Sequence, residues 1–457
     1  MSDRQSMNAV DPSHRRSGIR RTSALAGFTL LATTGAFGAY LGNPRLQRSY
    51  AAATCNVATE SELNAALASF TANPSTDCTA ITLTKNIKLT DDLTHAIGND
   101  GVFSIDGAGH TIDGRGHSGL RVEDAEVTID RITLRKLTGA VVVVSSVTVI
   151  EDSIFEQNTA ITYGASAITM VRGSLDVRRS VFTGNSPSAG GPGVGGRPSA
   201  GGTGDGAILV YGEGSGTVEV TDSYFADNTS ATAGGAITMF FTVNPKIHGT
   251  TFARNTAQSG GAIMSFSDSD LEIVNSTFTA NVATTGIGGA VGLGATYGSS
   301  IDFSTFVGNS AATTGGAVST FYDVSATNEV TNSLFWGNTA AYGDDLVVWG
   351  LVESYNLVSS PDSIAAGDGQ ALTPDGTDVV GINPRLAPLR DNGGSPLPRR
   401  KHVPTMALRA GSPAINAAAP VTVTPLDDQR GPDYPRVVDG RADIGAFEAQ
   451  VPRRRGR

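Results

Sequence analysis

The sequence predicts an all-β fold, a single-stranded right-handed parallel β-helix, or solenoid, in which short strands stack coil upon coil. A Phe-x-x-Asn pattern recurs, and its phenylalanines are separated by 27, 43, 27, 26, 28 and 29 residues. Glycine is abundant, with 56 residues, and only 17% of the chain is charged. A propeller blade needs about 40 residues and four strands, so this shorter period favours the solenoid.

Two columns of the repeat are the most regular. The phenylalanines are Phe155, Phe182, Phe225, Phe252, Phe278, Phe306 and Phe335. The asparagines are Asn158, Asn185, Asn228, Asn255, Asn281, Asn309 and Asn338. Because strands stack about 4.8 Å apart, equivalent side chains should form ladders. We expect the phenylalanines to stack inside the coils. We expect each asparagine to occupy a turn, where it tolerates left-handed backbone and binds turn amides.

Glycine pairs mark another corner of each coil. The pattern Gly-Gly-Ala-Ile/Val recurs in phase at residues 234–237, 260–263, 288–291 and 315–318. Glycine permits a positive φ at the corner, alanine fits a tight interior, and the branched residue begins the next strand. The single long separation contains a Gly/Pro-rich insertion at residues 186–204, which predicts a loop.

Residues 1–53 have the layout of a secretory signal peptide. A basic stretch around residues 15–21 precedes an apolar run at residues 24–41, and three alanines at 51–53 offer a cleavage site. An uncleaved membrane anchor stays open as an alternative, since the apolar run approaches the length of a membrane span. We therefore expect a secreted or cell-surface protein.

Residues 54–80 are predicted to cap the first coil. Cys55 and Cys78 are the only cysteines, and in an exported chain they are expected to form a disulfide. Thr59 and Glu62 form a capping box at the start of a short amphipathic helix. A cover of this kind is needed because an open sheet end invites edge-to-edge association.

The remaining chain divides into a solenoid at residues 81–381, a C-terminal capping module at 382–449 and a basic tail at 450–457. The net charge is -10, and no Lys or Arg occurs between Arg254 and Arg385. Binding of nucleic acid depends on such cations, so we expect no nucleic-acid partner.

Two family resemblances follow from these motifs. The Phe-x-x-Asn and Gly-Gly-Ala-Ile/Val pairing resembles the repeats of chlamydial-type polymorphic outer membrane proteins, within the pectin-lyase-like β-helix superfamily. The stretches LRDNGGSPLP, ALRAGSPAINAA, DDQRGPDYPR and ADIGAFE resemble the choice-of-anchor Q domain of exported bacterial β-helix proteins, although Asn416 stands where that family typically has Asp. In this module Arg430, Asp443 and Glu448 are expected to make charge pairs.

The superfamily resemblance also raises an enzymatic alternative, because it includes pectate lyases and polygalacturonases. Gly343-Asp344-Asp345 resembles the paired aspartates of polygalacturonase-like hydrolases, and paired carboxylates suit acid/base work on glycosides. The trio is nevertheless in phase with the glycine corners, and the companion motifs are absent. We therefore favour a structural corner over a catalytic pair at Asp344 and Asp345.

No cofactor is predicted, and the only ion considered is calcium. Asp205, Asp268, Asp270 and Asp302 could bind it weakly across coils, but no EF-hand or nonapeptide spacing is present. We expect a monomeric, non-catalytic surface or secreted adhesin that contacts an extracellular glycan or a host or neighbouring cell surface. The alternative is a polysaccharide lyase or glycoside hydrolase. Membrane contact is expected only through an uncleaved N-terminal segment.

Overall fold

The structure is a computed structural model that describes residues 54–75, 77–160, 164–187, 205–266, 270–294, 298–321, 327–367, 374, 376–420, 425–438 and 440–450. The predicted signal peptide, residues 188–204 of the predicted loop and residues 451–457 of the basic tail lie outside these ranges. Within these ranges, no helix combines the length and apolar character required to cross a membrane.

The described residues form one α-helix, one 3-10 turn at Pro361–Ser363 and many short strands. The first elements are β1 (Thr54–Val57), α1 (Glu60–Ala72), β2 (Ala80–Leu83), β3 (Ile87–Lys88), β4 (Ala96–Asp106), β5 (Thr111–Asp113), β6 (Ser118–Asp130), β7 (Thr133–Arg135), β8 (Thr138–Glu151), β9 (Ile154–Glu156), β10 (Ile168–Arg178), β11 (Val181–Thr183), β12 (Ile208–Thr221), β13 (Tyr224–Ala226), β14 (Ile237–His248), β15 (Thr251–Ala253), β16 (Thr256–Ala257), β17 (Ile263–Phe266) and β18 (Leu271–Val274). The later strands are β19 (Thr277–Thr279), β20 (Val282–Ala283), β21 (Val291–Leu293), β22 (Ser299–Asp302), β23 (Thr305–Val307), β24 (Ser310–Ala311), β25 (Val318–Thr320), β26 (Asn328–Thr331), β27 (Leu334–Trp336), β28 (Leu346–Val348), β29 (Leu351–Ser354), β30 (Leu357–Val358), β31 (Ile364–Ala366), β32 (Val379–Val380), β33 (Pro396–Leu397), β34 (Arg400–His402), β35 (Val437–Val438) and β36 (Arg441–Ala442).

These strands confirm the predicted all-β solenoid, which has about ten turns. One wall is a sheet of 12 parallel strands that runs from β3 to β32. Long strands such as β8, β10 and β12 bend to form two further walls, and in later coils each is replaced by a pair such as β17 and β18. Every coil therefore pairs with the coils above and below it.

The phenylalanines stack along the inside of the 12-stranded wall. The rings of Phe155 and Phe182 are stacked with centroids 4.7 Å apart and planes 3° from parallel, and the stack continues to Phe335. All seven side chains of this stack are fully buried. The repeat thus places one aromatic ring in each successive coil of the core.

The asparagines form a buried hydrogen-bonded ladder, and this differs in detail from the sequence prediction. Asn281 Nδ2 donates to Asn309 Oδ1 (2.9 Å) and to the carbonyl oxygen of Phe252 (3.1 Å), and Asn281 Oδ1 accepts from the backbone N–H of Asn255 (2.9 Å). The left-handed backbone was expected on the asparagine. It lies instead on the preceding residue, such as Ala280 with φ 55°. The asparagine side chain is used to join coils.

The glycine pairs serve two different purposes. Gly260 has φ +59°, the left-handed corner conformation that the sequence predicts. A Cβ on its neighbour Gly261 would lie 2.1 Å from the carbonyl oxygen of Gly289 in the next coil. The first glycine therefore provides conformation and the second allows close approach of two backbones.

Helix α1 packs beside the first coil, and its capping box is present. The backbone N–H of Glu62 donates to Thr59 Oγ1 (3.2 Å), and the Glu62 carboxylate accepts from the backbone N–H of Thr59 (3.1 Å). Phe70 is fully buried, with its ring centroid 5.0 Å from that of Phe103 in β4. A disulfide joins Cys55 in β1 to Cys78, with Cα atoms 5.1 Å apart.

The described residues of 382–449, called the C-terminal segment below, lie along the outer face of the 12-stranded wall. Thr251 Oγ1 donates to the carbonyl oxygen of Pro404 (2.7 Å) and accepts from Gln429 Nε2 (2.8 Å). Two coils further on, Thr305 Oγ1 accepts from the backbone N–H of Ala446 (2.9 Å). We expected this segment to cap the last coil, but its contacts extend over several coils of the flank.

Charged side chains are buried where the C-terminal segment meets the solenoid. Arg430 pairs with Asp428 at 2.5 Å, and both are almost fully buried. The Asp443 and Glu448 carboxylates accept backbone N–H groups instead, including that of Asp443 by Glu448 Oε2 (2.8 Å). The expected pairing of Arg430 with the Asp443 and Glu448 side chains is thus replaced by pairing with Asp428. Arg436 is fully buried and donates to Asn275 in the solenoid.

Candidate functional site

The structure separates the two carboxylates of the Asp344–Asp345 pair. Asp345 is fully buried. Its Oδ1 accepts from Asn338 Nδ2 (2.9 Å), and its Oδ2 accepts from the backbone N–H of Ser359 (2.9 Å). Burial raises the pKa of Asp345 above its usual value. The side chain therefore ends the asparagine ladder by accepting the last amide donor.

Asp344 faces the opposite way. It is exposed, and its Oδ1 accepts from the backbone N–H of Ala340 (2.9 Å). A glycosidase needs both carboxylates beside the scissile bond. With one side chain in the core and the other tied to a turn amide, Asp344 and Asp345 have the contacts of a structural corner.

The three described aspartates among those considered for calcium, Asp205, Asp270 and Asp302, lie in different coils. Asp205 is buried, which raises its pKa to about 6. Asp302 Oδ1 accepts from Asn332 Nδ2 (2.8 Å) in a different coil. Asp270 lies in another coil again, and Asp268 lies outside the described residues. Across the part of the chain that the structure describes, no group of three or more His, Cys, Asp or Glu side chains is placed to hold a metal ion.

A different feature stands out on the outer face of the wall that contains β12, β14, β17, β21, β25 and β28. Strand register aligns Tyr211 with Phe240, and Phe240 with Phe266. Continuing the register through the next three pairings extends the row. We call this row the aromatic column; its positions are Tyr211, Phe240, Phe266, Gly294, Phe321 and Trp349.

The rings of the aromatic column are packed against one another. Those of Phe240 and Phe266 are stacked, with centroids 4.9 Å apart and planes 6° from parallel. The Tyr211 and Phe240 centroids are 6.0 Å apart, and those of Phe266 and Phe321 are 6.5 Å apart although a coil separates them. The gap is closed at Gly294, where a Cβ would lie 2.4 Å from the Phe266 ring. Glycine at this position leaves room for the ring.

A second glycine that leaves room for an aromatic ring lies at the end of the aromatic column. A Cβ on Gly367, in the coil after Trp349, would lie 2.0 Å from the indole ring of Trp349. Two of the coils thus hold glycine at the position where a side chain would displace a neighbouring aromatic ring. Ring contacts therefore join Tyr211 to Phe321 through Phe240 and Phe266, and strand register places Trp349 in the next coil.

The aromatic column and its neighbour Phe241 are accessible to solvent. Phe321 is 42% exposed and Phe241 is 38% exposed, and Tyr211 and Phe266 are half-buried. The Phe241 ring packs edge-on against Tyr211, with centroids 5.4 Å apart. Phe241 also has φ 52°, which is unusual for a bulky residue. Ser145 and Arg172, at the equivalent position of earlier coils, share this conformation, so it belongs to the corner between two walls.

The sequence contains a signal for the aromatic column that the predictions above did not use. In three of the four Gly-Gly-Ala-Ile/Val repeats an aromatic residue occurs three positions after the branched residue, as in Ile263 to Phe266 and Val318 to Phe321. The Phe-x-x-Asn repeat does not include this position, because the exposed aromatic residues belong to the strand that follows the glycine corner.

The coils around the aromatic column carry little positive charge. No Lys or Arg occurs from residue 255 to residue 384, a range that includes Phe266, Phe321 and Trp349. The nearest cation along the chain to Phe240 and Phe241 is Lys246, which pairs with Glu272 at 3.4 Å. Strands β17, β21, β25 and β28 of this face contain no charged residue of either sign.

Comparison of the chain with protein-family models, with curated proteins and with solved structures finds no match.

Proposed function

We propose that this protein is an exported, non-catalytic β-helix scaffold that binds a neutral polysaccharide along the aromatic column. The observation that carries the proposal is the aromatic column itself, with its rings in register and partly exposed. Each pyranose ring of a sugar has a flat face of C–H groups, which packs well against an aromatic ring. Exposed contiguous apolar patches of this kind are typical of binding sites.

The repeat of the solenoid suits an extended chain. Successive coils lie about 4.8 Å apart, which is close to the length of one sugar unit. A polysaccharide lying along the solenoid axis can therefore place one unit after another over the rings. Aromatic contacts contribute only about 0.5–1.5 kcal/mol each beyond area burial, so binding depends on several rings acting together.

Charge favours a neutral glycan over an acidic one. The coils from Phe266 to Trp349 have no Lys or Arg of their own. A polyuronate or sulfated glycan on this wall would meet no cation from these coils to offset its charge, in a protein whose net charge is -10. A neutral chain needs no such cation.

Two features support an extracellular setting. The Cys55–Cys78 disulfide fits an oxidising compartment, and residues 1–53 have the layout of a signal peptide. Both family resemblances imply the same surface setting. The lyase or glycosidase alternative has no specific observation in its favour, because Asp344 and Asp345 point apart.

Affinity electrophoresis of the full chain through gels that contain xylan, mannan, soluble β-glucan or polygalacturonate tests the proposal. We expect at least one neutral polysaccharide to retard the protein and polygalacturonate to have no effect. Combining Phe240→Ala with Phe321→Ala should reduce the retardation about tenfold, since two stacking contacts are lost. The matched control is Leu426→Ala, which removes a 76% exposed apolar side chain from the C-terminal segment.

The outcomes separate the alternatives. Absence of retardation by every neutral polysaccharide, or equal retardation of the double variant and the wild type, contradicts the proposal. Reducing ends should also be assayed in the same polysaccharide solutions, with calcium and with chelator. Their release by the protein would overturn the non-catalytic part of the proposal and favour a hydrolase or lyase.

A further inference from the structure

A cavity of about 340 Å³ lies between the 12-stranded wall and the C-terminal segment, on a different sheet from the aromatic column. Its lining residues come from β13, the residue after β15, and the stretch 389–404. They are Tyr224, Arg254, Leu389, Arg390, Asp391, Arg400, Lys401, His402 and Pro404. We call it the basic cavity.

The basic cavity concentrates positive charge in a protein whose net charge is -10. Among its cations, Arg254 pairs with Asp227, with both N–O distances 2.7 Å. Arg390, Arg400 and Lys401 make no ion pair within the ranges that the structure describes. These three cations are exposed, so solvent screens them in the free protein, and an anion that enters the cavity can pair with them.

The two arginines that the C-terminal segment contributes to the basic cavity, Arg390 and Arg400, are held in place without losing their donors. The Arg400 guanidinium lies over the Tyr224 ring, 4.5 Å from its centroid. Stacking of this kind leaves the N–H groups at the edge of the guanidinium available. Arg390 donates from Nε to Asn392 Oδ1 (2.9 Å), which orients its remaining donors. Planar guanidinium forks match carboxylate and phosphate oxygens.

Asp391 adds a hydrogen-bond acceptor to this cationic wall. Its Oδ1 lies 2.8 Å from His402 Nδ1 and accepts from the backbone N–H of Gly393 (3.0 Å). The Gly393 amide, followed by His402, lowers the pKa of Asp391. A ligand that carries hydroxyl donors beside an anionic group would meet both parts of this lining.

We propose that the basic cavity binds the oxyanion group of a monosaccharide-sized ligand, with Arg390 and Arg400 on the oxyanion and Asp391 on a neighbouring hydroxyl. The oxyanion is a carboxylate, as in a sugar acid, or a phosphate ester. The volume fits, because small-molecule sites are about 300–1,000 Å³. This site is separate from the proposed polysaccharide face.

Titration calorimetry of the full chain with D-glucuronate, D-glucose 6-phosphate and D-glucose tests the site. We expect saturable binding of at least one anionic sugar at one site per chain, and none of glucose. Arg390→Gln and Arg400→Gln should each weaken binding about tenfold or more, because a charge-assisted fork is lost. Arg409→Gln, which removes an exposed cation of the same segment outside the basic cavity, is the matched control.

Two further variants keep the result interpretable. Lys401→Gln changes an exposed side chain and should weaken binding even if Arg400→Gln alters folding. Phe240→Ala should leave anion binding unchanged, since it alters only the aromatic column. Binding of glucuronate alone identifies a carboxylate ligand, and binding of the phosphate ester identifies a phosphate. Absence of saturable binding by both anionic sugars, or equal loss in Arg409→Gln, overturns the inference.

Discussion

Each asparagine of the ladder satisfies several buried groups at once. Asn281 Oδ1 accepts hydrogen bonds from the backbone N–H and the side-chain amide of Asn255. Asn281 Nδ2 donates to the carbonyl oxygen of Phe252 and to Asn309 Oδ1. A buried polar group left without a partner costs about 1–3 kcal/mol. The energetic value of the ladder therefore exceeds that of a surface hydrogen bond.

The substitution Asn281→Ala should lower the free energy of unfolding by on the order of 3–5 kcal/mol, since it leaves several of these groups unsatisfied. Urea unfolding followed by circular dichroism measures the change. Glu329→Ala, at an exposed position of β26, is the control. A loss in Asn281→Ala no larger than in this control would show that the ladder contributes little.

Glu448 should make stability depend on pH. Burial, followed by the nearby Asp443 charge, raises the pKa of Glu448 to about 8, whereas glutamate in an unfolded chain titrates near ~4.3. Between these values the folded state retains a proton that the unfolded state releases. Stability contributed by Glu448 is therefore present below about pH 4.3 and is lost as pH rises towards 8.

Glu448→Gln should remove this contribution, so that the free energy of unfolding falls less steeply between pH 5 and pH 8. Thermal or urea unfolding at several pH values measures the slope. The slope is the readout because glutamine changes the baseline through its own hydrogen bonds. Asp443 and Arg436 also face Glu448 and remain in both proteins. An unchanged slope would contradict the assigned role.

For single residues, the sequence predicts which positions repeat from coil to coil better than it predicts the backbone conformation and hydrogen bonds at those positions. The regular spacing located the phenylalanines and asparagines correctly. It could not show that the left-handed backbone falls one residue earlier, at positions such as Ala280. That assignment depends on which amides of the next coil face the side chain, and those contacts join residues 26 to 28 positions apart.

At the scale of elements, the aromatic column depends on the coil that has no aromatic side chain. Gly294 lacks a Cβ where one would meet the Phe266 ring, and the rings of Phe266 and Phe321 approach across it. The backbone of Gly294 does not require glycine, because its φ is outside the left-handed region.

Gly294→Ala should therefore displace the Phe266 ring and weaken polysaccharide binding severalfold. The overlap with the ring should also lower the free energy of unfolding, by about 1–3 kcal/mol, as for other overpacked substitutions. Affinity electrophoresis and thermal unfolding measure the two effects. Gly376→Ala is the matched control, since nothing lies near the added methyl group and its backbone is not left-handed. Unaltered polysaccharide binding by Gly294→Ala would indicate that the stacked rings of the aromatic column do not contact the polysaccharide.

Local elements were predictable where their determinants are local. The capping box at Thr59 and Glu62 placed the start of α1 correctly. The position of the C-terminal segment was not predictable in the same way. It is fixed by contacts such as those of Gln429 with Thr251, residues 178 positions apart, and no repeat pattern records them.

At the scale of the whole molecule, the walls of the solenoid have different environments. The C-terminal segment covers the outer face of the 12-stranded wall, where Thr251 and Thr277 are fully buried. The wall that carries the aromatic column leaves Phe241 and Phe321 exposed. The sequence repeat predicts that the coils stack. It does not predict which wall the C-terminal segment covers, because that depends on tertiary packing.

A fluorescence titration tests most directly the claim that the open wall binds sugar. The chain has two tryptophans, and Trp336→Phe leaves Trp349, in the aromatic column, as the sole reporter. Oligosaccharides from a retarding neutral polysaccharide are added to the full chain. We predict a saturable change in Trp349 emission whose midpoint moves severalfold to higher oligosaccharide concentration when Phe321→Ala is introduced. Binding of the same oligosaccharide with no change in Trp349 emission, and no effect of Phe321→Ala, would contradict the account.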